Sequence, residues 1–387
     1  MKQAQPTERG NRPGFRGIAL AVIVIVIGAG LGALGAYRLT EHRNGNGLTG
    51  HRNGNVPPAA ATPRNCTPNA ILVNPCRPWF GAAANGNPGA SDSKVAQFNY
   101  LEKLVGHPLD IFRDYHSAPG SNRLGDLPLN ADERRLARSG TYIDVNWKPA
   151  PTFALADGSN AAVNRQIDHV AASIKSIAPR KVFMTIWSEP QNDVTSDPGG
   201  NCYLKPGATG GSTAGYIAMW RNVESRFRAA GVTNVVWVMD YQAPPNGLYD
   251  CLVPRLWPGN NLVDWVVYDT YSRNPYATWD NTVGRFYHVL SNDSTPSVDF
   301  NSKPWGLGEF STCSNPSPAA ASNFYVQAKS AFDANTYPRL KMYLAYADAG
   351  GPGAGPGCLS NYNQNGQPDS AKQASFNEFA KAVLARR

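Results

Sequence analysis

From Ala70 onward, eight short apolar runs alternate with stretches of helical periodicity. This alternation restricts the chain to a parallel sheet covered by helices. The runs are Trp79–Ala82 (or Ile71–Val73), Leu109–Tyr115, Thr141–Trp147, Val182–Trp187, Asn234–Met239, Val263–Thr270, Trp305–Glu309 and Leu340–Ala347. Helical spacing covers 93–105, 162–177, 214–230, 282–290, 319–335 and 370–385. The runs are near-continuously apolar, as expected of strands buried on both faces. Eight units of about 40 residues predict a closed (β/α)8 TIM barrel of ordinary size. An open doubly wound sheet is the alternative, but no Gly-rich phosphate loop follows the first run.

Polar residues collect at the C-terminal ends of the runs. Asp114-Tyr-His116, Asn146-Trp-Lys148, Ser188-Glu189, Asp240-Tyr-Gln242, Asp269-Thr-Tyr271, Glu309 and Tyr346-Ala-Asp348 stand there. In such a barrel this rim is where ligands bind and chemistry occurs. Candidates for contacting a ligand are His116, Trp147, Lys148, Asp240, Tyr241, Asp269, Trp79 and Asp348. The tryptophans would act as flat stacking platforms.

The segment before the barrel constrains location. Gly17 to Tyr37 is uncharged and contains Ala21-Val-Ile-Val-Ile-Val-Ile27. About 20 apolar residues span a bilayer as a helix. Residues 1–55 hold seven Lys/Arg and two Glu, a net +5 of the chain's +8. This excess flanks the apolar segment, where it sets orientation, and no basic stripe marks a nucleic-acid partner in the remainder. The expected layout is a cytoplasmic tail (1–16), a transmembrane anchor (17–37), a flexible linker (38–65) and an extracytoplasmic barrel (66–387). A cleaved signal peptide with a secreted barrel is the alternative. The linker repeats His42-Arg-Asn-Gly-Asn46 as His51-Arg-Asn-Gly-Asn55 and continues Pro57-Pro-Ala-Ala-Ala-Thr-Pro63, with nothing to bury.

Export agrees with six cysteines. Six thiols allow fifteen pairings. Their spacing on the barrel layout favours Cys66–Cys76, Cys202–Cys251 and Cys313–Cys358. No CxxC pair or histidine cluster calls for a metal, no cofactor is expected, and a monomer is.

Two glutamates carry the chemistry. Glu189 ends Lys181-Val-Phe-Met-Thr-Ile-Trp-Ser-Glu189-Pro190, and Glu309 ends Lys303-Pro-Trp-Gly-Leu-Gly-Glu309. Pro190 favours a strand-to-loop exit. Carboxyl groups on strands four and seven suit retaining glycosidic cleavage, in which two carboxyls stand about 5–5.5 Å apart. Glu189 is the expected acid/base and Glu309 the expected nucleophile.

Trp187-Ser-Glu189-Pro190-Gln-Asn192-Asp193 resembles the strand-four motif of the retaining glycosidase clan built on (β/α)8 barrels, and Trp305-Gly-Leu-Gly-Glu309 its strand-seven motif. With Trp79-Phe-Gly-Ala82, Pro108-Leu-Asp-Ile-Phe-Arg-Asp-Tyr-His116, Val145-Asn-Trp-Lys-Pro149 and Val263-Asp-Trp-Val-Val-Tyr-Asp-Thr-Tyr271, the chain is similar to glycoside hydrolase family 26 over about residues 66–385. The resemblance implies an endo-acting hydrolase of β-linked polysaccharide, most often β-1,4-mannan, with Tyr271 hydrogen-bonded to the nucleophile. The residue before the acid/base is commonly His there and contacts sugar. Here it is the shorter Ser188, which puts the sugar's identity in doubt. Another β-glycan or a cell-envelope polysaccharide is the alternative substrate. The competing class is a barrel that binds carbohydrate without turnover, against which the intact glutamate pair argues.

Overall fold

The computed structural model describes residues 66–84, 93–117, 127–273, 277–312, 318–347 and 370–386. The 17–37 segment, the linker, Cys313, Asp348 and Cys358 lie outside them. Among the described residues no helix is long and apolar enough to cross a membrane.

Eight parallel strands close into a barrel: β1 (Trp79–Ala83), β2 (Ile111–Ser117), β3 (Tyr142–Lys148), β4 (Val182–Ile186), β5 (Val235–Gln242), β6 (Trp265–Ser272), β7 (Trp305–Thr312) and β8 (Leu340–Tyr346). Each pairs with its sequence neighbours, and β8 pairs with β1 to complete the ring. The helices α1 (Lys94–Val105), α2 (Ala131–Ser139), α3 (Ala161–Lys175), α4 (Thr213–Ala229), α5 (Arg285–Asp293), α6 (Pro318–Asp333) and α7 (Ser370–Ala385) connect and follow the strands. Short 3-10 turns at 250–252, 254–256 and 260–262 replace a helix between β5 and β6.

Of the two sequence candidates for the first strand, Trp79–Ala83 enters the barrel and Ile71–Val73 does not. Leu72 instead takes φ 60° and packs into the barrel floor. Its carbonyl accepts from Trp79 Nε1 at 2.6 Å, and the Ile71 carbonyl accepts from Trp265 Nε1 at 2.6 Å. These bonds satisfy two indole donors whose rings fill the floor with Phe183, Val236 and Met342. Burying each such side chain contributes about 1.5–3 kcal/mol. The helix α2 was not expected. Its signal is Asn130-x-x-Glu133, a reciprocal capping box in which Asn130 Oδ1 accepts from Glu133 N and Glu133 Oε2 from Asn130 N.

Side chains alternate inward and outward along each strand. Above the apolar floor the inward positions turn polar: Arg113 on β2, Asp144 on β3, Asp240 on β5 and Asp269 on β6, all buried. This layer carries the functional site.

Candidate functional site

Arg113 is the centre of the polar layer. Its guanidinium is fully buried and bonds Asp144 Oδ2 at 3.0 Å and Asp240 Oδ2 at 2.5 Å. Asp269 Oδ2 and Glu309 Oε1 each lie 3.8 Å from it. One buried cation thus faces four carboxyl groups. Burial raises the carboxyl pKa of Asp144, and raises that of Asp240 to about 6. Asp269 is pushed well above the usual range by burial, then by Asp240 and Glu309. Burial thus favours the neutral form of these carboxyls, and the Arg113 charge opposes that shift at all three.

Glu309 reaches this layer through a register shift. Along β6 and β7, Val267 pairs with Gly306, Tyr268 with Leu307, and then Asp269 with Glu309. Gly308 is passed over as the extra residue of a β-bulge. Strict alternation would send Glu309 outward with Trp305 and Leu307; the bulge restores it to the inward face beside Asp269. The hydroxyl of Tyr115 donates to Glu309 Oε1 and that of Tyr271 to Oε2 in short hydrogen bonds. Both carboxylate oxygens are thereby held. Burial and then the Glu309 charge raise the pKa of both phenols, so they remain donors.

Glu189 lies just past β4, where the chain leaves the sheet in an unusual conformation. Trp187 and Glu189 have φ of 60° and 49°, in the left-handed region that side chains rarely adopt. Such strain, typically about 1–3 kcal/mol per residue, concentrates at functional sites. The Glu189 amide donates to the Asp240 carbonyl at 3.1 Å, fixing the turn, and Pro190–Asn192 follows as a 3-10 turn. Asn192 Nδ2 donates to Glu189 Oε2 at 2.8 Å. Burial, then the charges of Glu309 and Asp240, raise the Glu189 pKa to about 8. Lys148 and Arg113 oppose this shift.

Glu189, Glu309, Asp269 and Tyr271 line one cleft of about 590 Å³. Lys148 is not among the lining residues; it lies 2.9 Å from Asp193 Oδ2 and 4.8 Å from the centre of the Trp187 ring. Trp187 Nε1 donates to the same Asp193 oxygen at 2.7 Å, which braces the turn bearing Glu189. Ser188 is partly exposed between the two strained residues. Asp240 lies beneath the cleft and is committed to Arg113.

Four sequence candidates lie elsewhere. Trp79 fills the barrel floor, at the opposite end from the cleft. Trp147 points outward from β3 and is wholly buried in the packing between barrel and helices. Tyr241 also points outward, and its hydroxyl donates to the Val253 carbonyl at 2.9 Å. His116 faces α2, with Nε2 3.0 Å from Glu133 Oε1. His116, Trp147 and Tyr241 each sit next to an inward residue, and the period of two turns them away; Trp79 faces inward, but at the floor rather than the cleft end. Asp114, His116 and Glu133 bring potential metal ligands together, but the ammonium of Lys94 already pairs with Asp114. The cleft residues Lys205 and Arg273 were not among the candidates, nor were Arg113 and Tyr115, which face Glu309. Arg113 was legible as a charge inside an apolar run, and Tyr115 as its neighbour two positions on.

The bridges Cys66–Cys76 and Cys202–Cys251 are formed. The second ties the loop after β4 to the loop after β5.

No protein-family profile matches the chain. Endoglucanase H of Acetivibrio thermocellus is 26% identical over 227 residues, covering 57% of this chain and 23% of that protein. The chain therefore spans about a quarter of that curated relative. Among solved structures, a GH26 β-mannanase from Bacteroides ovatus matches with a TM-score of 0.55 at 15% identity, over 81% of this chain and 91% of that one. The endo-β-mannanase/endo-β-glucanase of Prevotella bryantii matches at 0.52 and 16% identity, over 80% and 45%. The catalytic domain of a Bacillus sp. JAMB-750 GH26 endo-β-1,4-mannanase gives 0.50 and 17%, over 78% and 85%. In fold, the chain resembles glycoside hydrolase family 26, whose β-mannanases share its (β/α)8 barrel.

Proposed function

We propose that the chain is a retaining endo-glycoside hydrolase acting on a β-linked polysaccharide, with β-1,4-mannan as the preferred substrate. The observation that carries this reading is the unlike treatment of two carboxyls in one cleft. Glu189, with its pKa near 8, holds a proton at neutral pH. Glu309 accepts two phenolic hydroxyls and faces the Arg113 guanidinium, an arrangement that suits a negative charge.

In the first step Glu309 attacks the anomeric carbon while Glu189 gives its proton to the departing glycosidic oxygen. The product is a glycosyl ester of Glu309. Esterification removes the Glu309 charge, one of the causes of the raised Glu189 pKa. Glu189 is then the better base. It takes a proton from water, whose oxygen displaces Glu309 from the sugar. Tyr115 and Tyr271 hold Glu309 in place throughout.

Cleavage of a β-glucan is the second reading, favoured by the similarity to an endoglucanase and by Ser188 before Glu189. The uncharged 17–37 segment supports anchorage of an exported barrel to the membrane, with secretion after cleavage as its alternative. The test is product release from a panel of β-mannan and β-glucans by the wild type, Glu189→Gln and Glu309→Gln. Loss of mannan cleavage in both variants, with the first-formed anomer retaining the substrate's configuration, is expected. Binding without turnover in all three proteins would point to a carbohydrate-binding barrel.

A further inference from the structure

The cleft holds two cations that pair with no acid among the described residues. Lys205, in the loop after β4, and Arg273, just past β6, both line it and are exposed. Arg273 stacks over the Tyr271 ring at 5.3 Å, and Lys205 Nζ makes one long contact, 3.4 Å to Asn192 Oδ1. Neither has a carboxylate partner among the described residues. Other cations around the same loops do. Lys148 pairs with Asp193, Arg255 with Asp197, and Arg285 with Asp250. These two cations also sit next to the reacting groups: Asn192 bonds Glu189 and Tyr271 bonds Glu309.

A second observation concerns what the cleft lacks. All nine tryptophans fall among the described residues, and none lines it; eight are buried and Trp237 packs against the core. The broad indole platforms that would suit neutral sugar faces are spent on packing. The cleft wall offers smaller apolar groups, Leu248, Tyr249 and Tyr346, together with the two cations. The chain outside its first 55 residues carries only +3 of its net charge, so this local excess is not part of a generally basic surface.

We propose that the substrate of this cleft is a β-linked glycan bearing carboxylates on sugars close to the scissile bond, bound through Lys205 and Arg273. The inference rests on the glycosidase reading and narrows its substrate. Glu309 needs to be ionised, and an acidic glycan would be repelled by it. Lys205 and Arg273, which lie beside Asn192 and Tyr271, offset that repulsion.

The test compares β-1,4-mannan with the same mannan oxidised at C6 to the carboxylate, which preserves linkage and ring configuration. The full chain is assayed with Lys205→Ala, Arg273→Ala, Arg273→Lys and the double alanine variant. Exposed ion pairs contribute roughly 0.2–1 kcal/mol each. KM for the oxidised mannan should accordingly rise about tenfold in the double variant, and Arg273→Lys should retain most of the effect. The preference over plain mannan should shrink as salt rises, because exposed charges are screened. A KM for oxidised mannan that is indifferent to salt and to both alanines would overturn the inference while leaving the glycosidase reading intact. Binding of both mannans to Glu309→Gln is measured by calorimetry in parallel. Charge-dependent binding there, with no turnover by the wild type, would overturn the glycosidase reading and keep the acidic ligand.

Discussion

Asp269 and Glu309 stand side by side on β6 and β7 because Gly308 is passed over in the ladder between them. A Cβ at Gly308 would lie 2.6 Å from Asp269 Oδ1, 2.9 Å from Val267 Cγ2 and 3.0 Å from Asp240 Oδ1. The bulge therefore needs a residue without a side chain, and it aims Glu309 into the cleft. Gly308→Ala should lower stability by about 1–3 kcal/mol through overpacking and reduce kcat far more than it raises KM. Unchanged kcat with unchanged melting temperature would show that the bulge tolerates a side chain.

The pH dependence of activity should be set on its alkaline side by Glu189. The group must be protonated to act as acid, so kcat/KM should fall as pH rises through about 8. In Glu189→Gln, any residual activity measured with a substrate whose leaving group needs no proton should lose that limb. A limb that persists in the variant would assign it to another group.

Stability should respond to the same residue. The folded-state pKa of Glu189 is raised from 4.5 to about 8. The folded protein thus binds its proton more tightly than the unfolded chain, and stability should be lost as pH rises through that interval. Glu189→Gln removes this loss. Its melting temperature should exceed the wild type's by a widening gap between pH 5 and 8, measurable by calorimetry. A gap that is constant with pH would contradict the assignment.

Tyr115→Phe and Tyr271→Phe each remove one of two hydrogen bonds to the Glu309 carboxylate. A hydrogen bond to a charged group contributes about 1.5–3 kcal/mol. Each variant should lose roughly ten- to a hundredfold in kcat/KM, and the double variant should deviate from additivity because both act on one carboxylate. Strict additivity would argue that the two phenols act on different steps.

The Cys202–Cys251 bridge links two cleft loops across 49 residues of sequence, away from the strand ladder. Replacing both cysteines with serine should raise KM at temperatures where circular dichroism still reports an intact barrel. Simultaneous loss of activity and fold would mean that the bridge supports the barrel itself.

The sequence by itself determined the eight strands, six of the seven described helices, the ends of the strands that carry polar groups, and the two glutamates, because apolar continuity and strand length are local properties. It also held signals that pointed to Arg113 and α2. What it did not determine was the face each rim residue presents. His116, Trp147 and Tyr241 look equivalent to Asp240 and Asp269 along the chain, yet a step of one residue turns them outward into packing. Only the closed barrel decided that parity, since it is fixed by pairing with neighbouring strands. At β7 the pairing itself shifts at Gly308, and that shift brings Glu309 into the same cleft as Glu189.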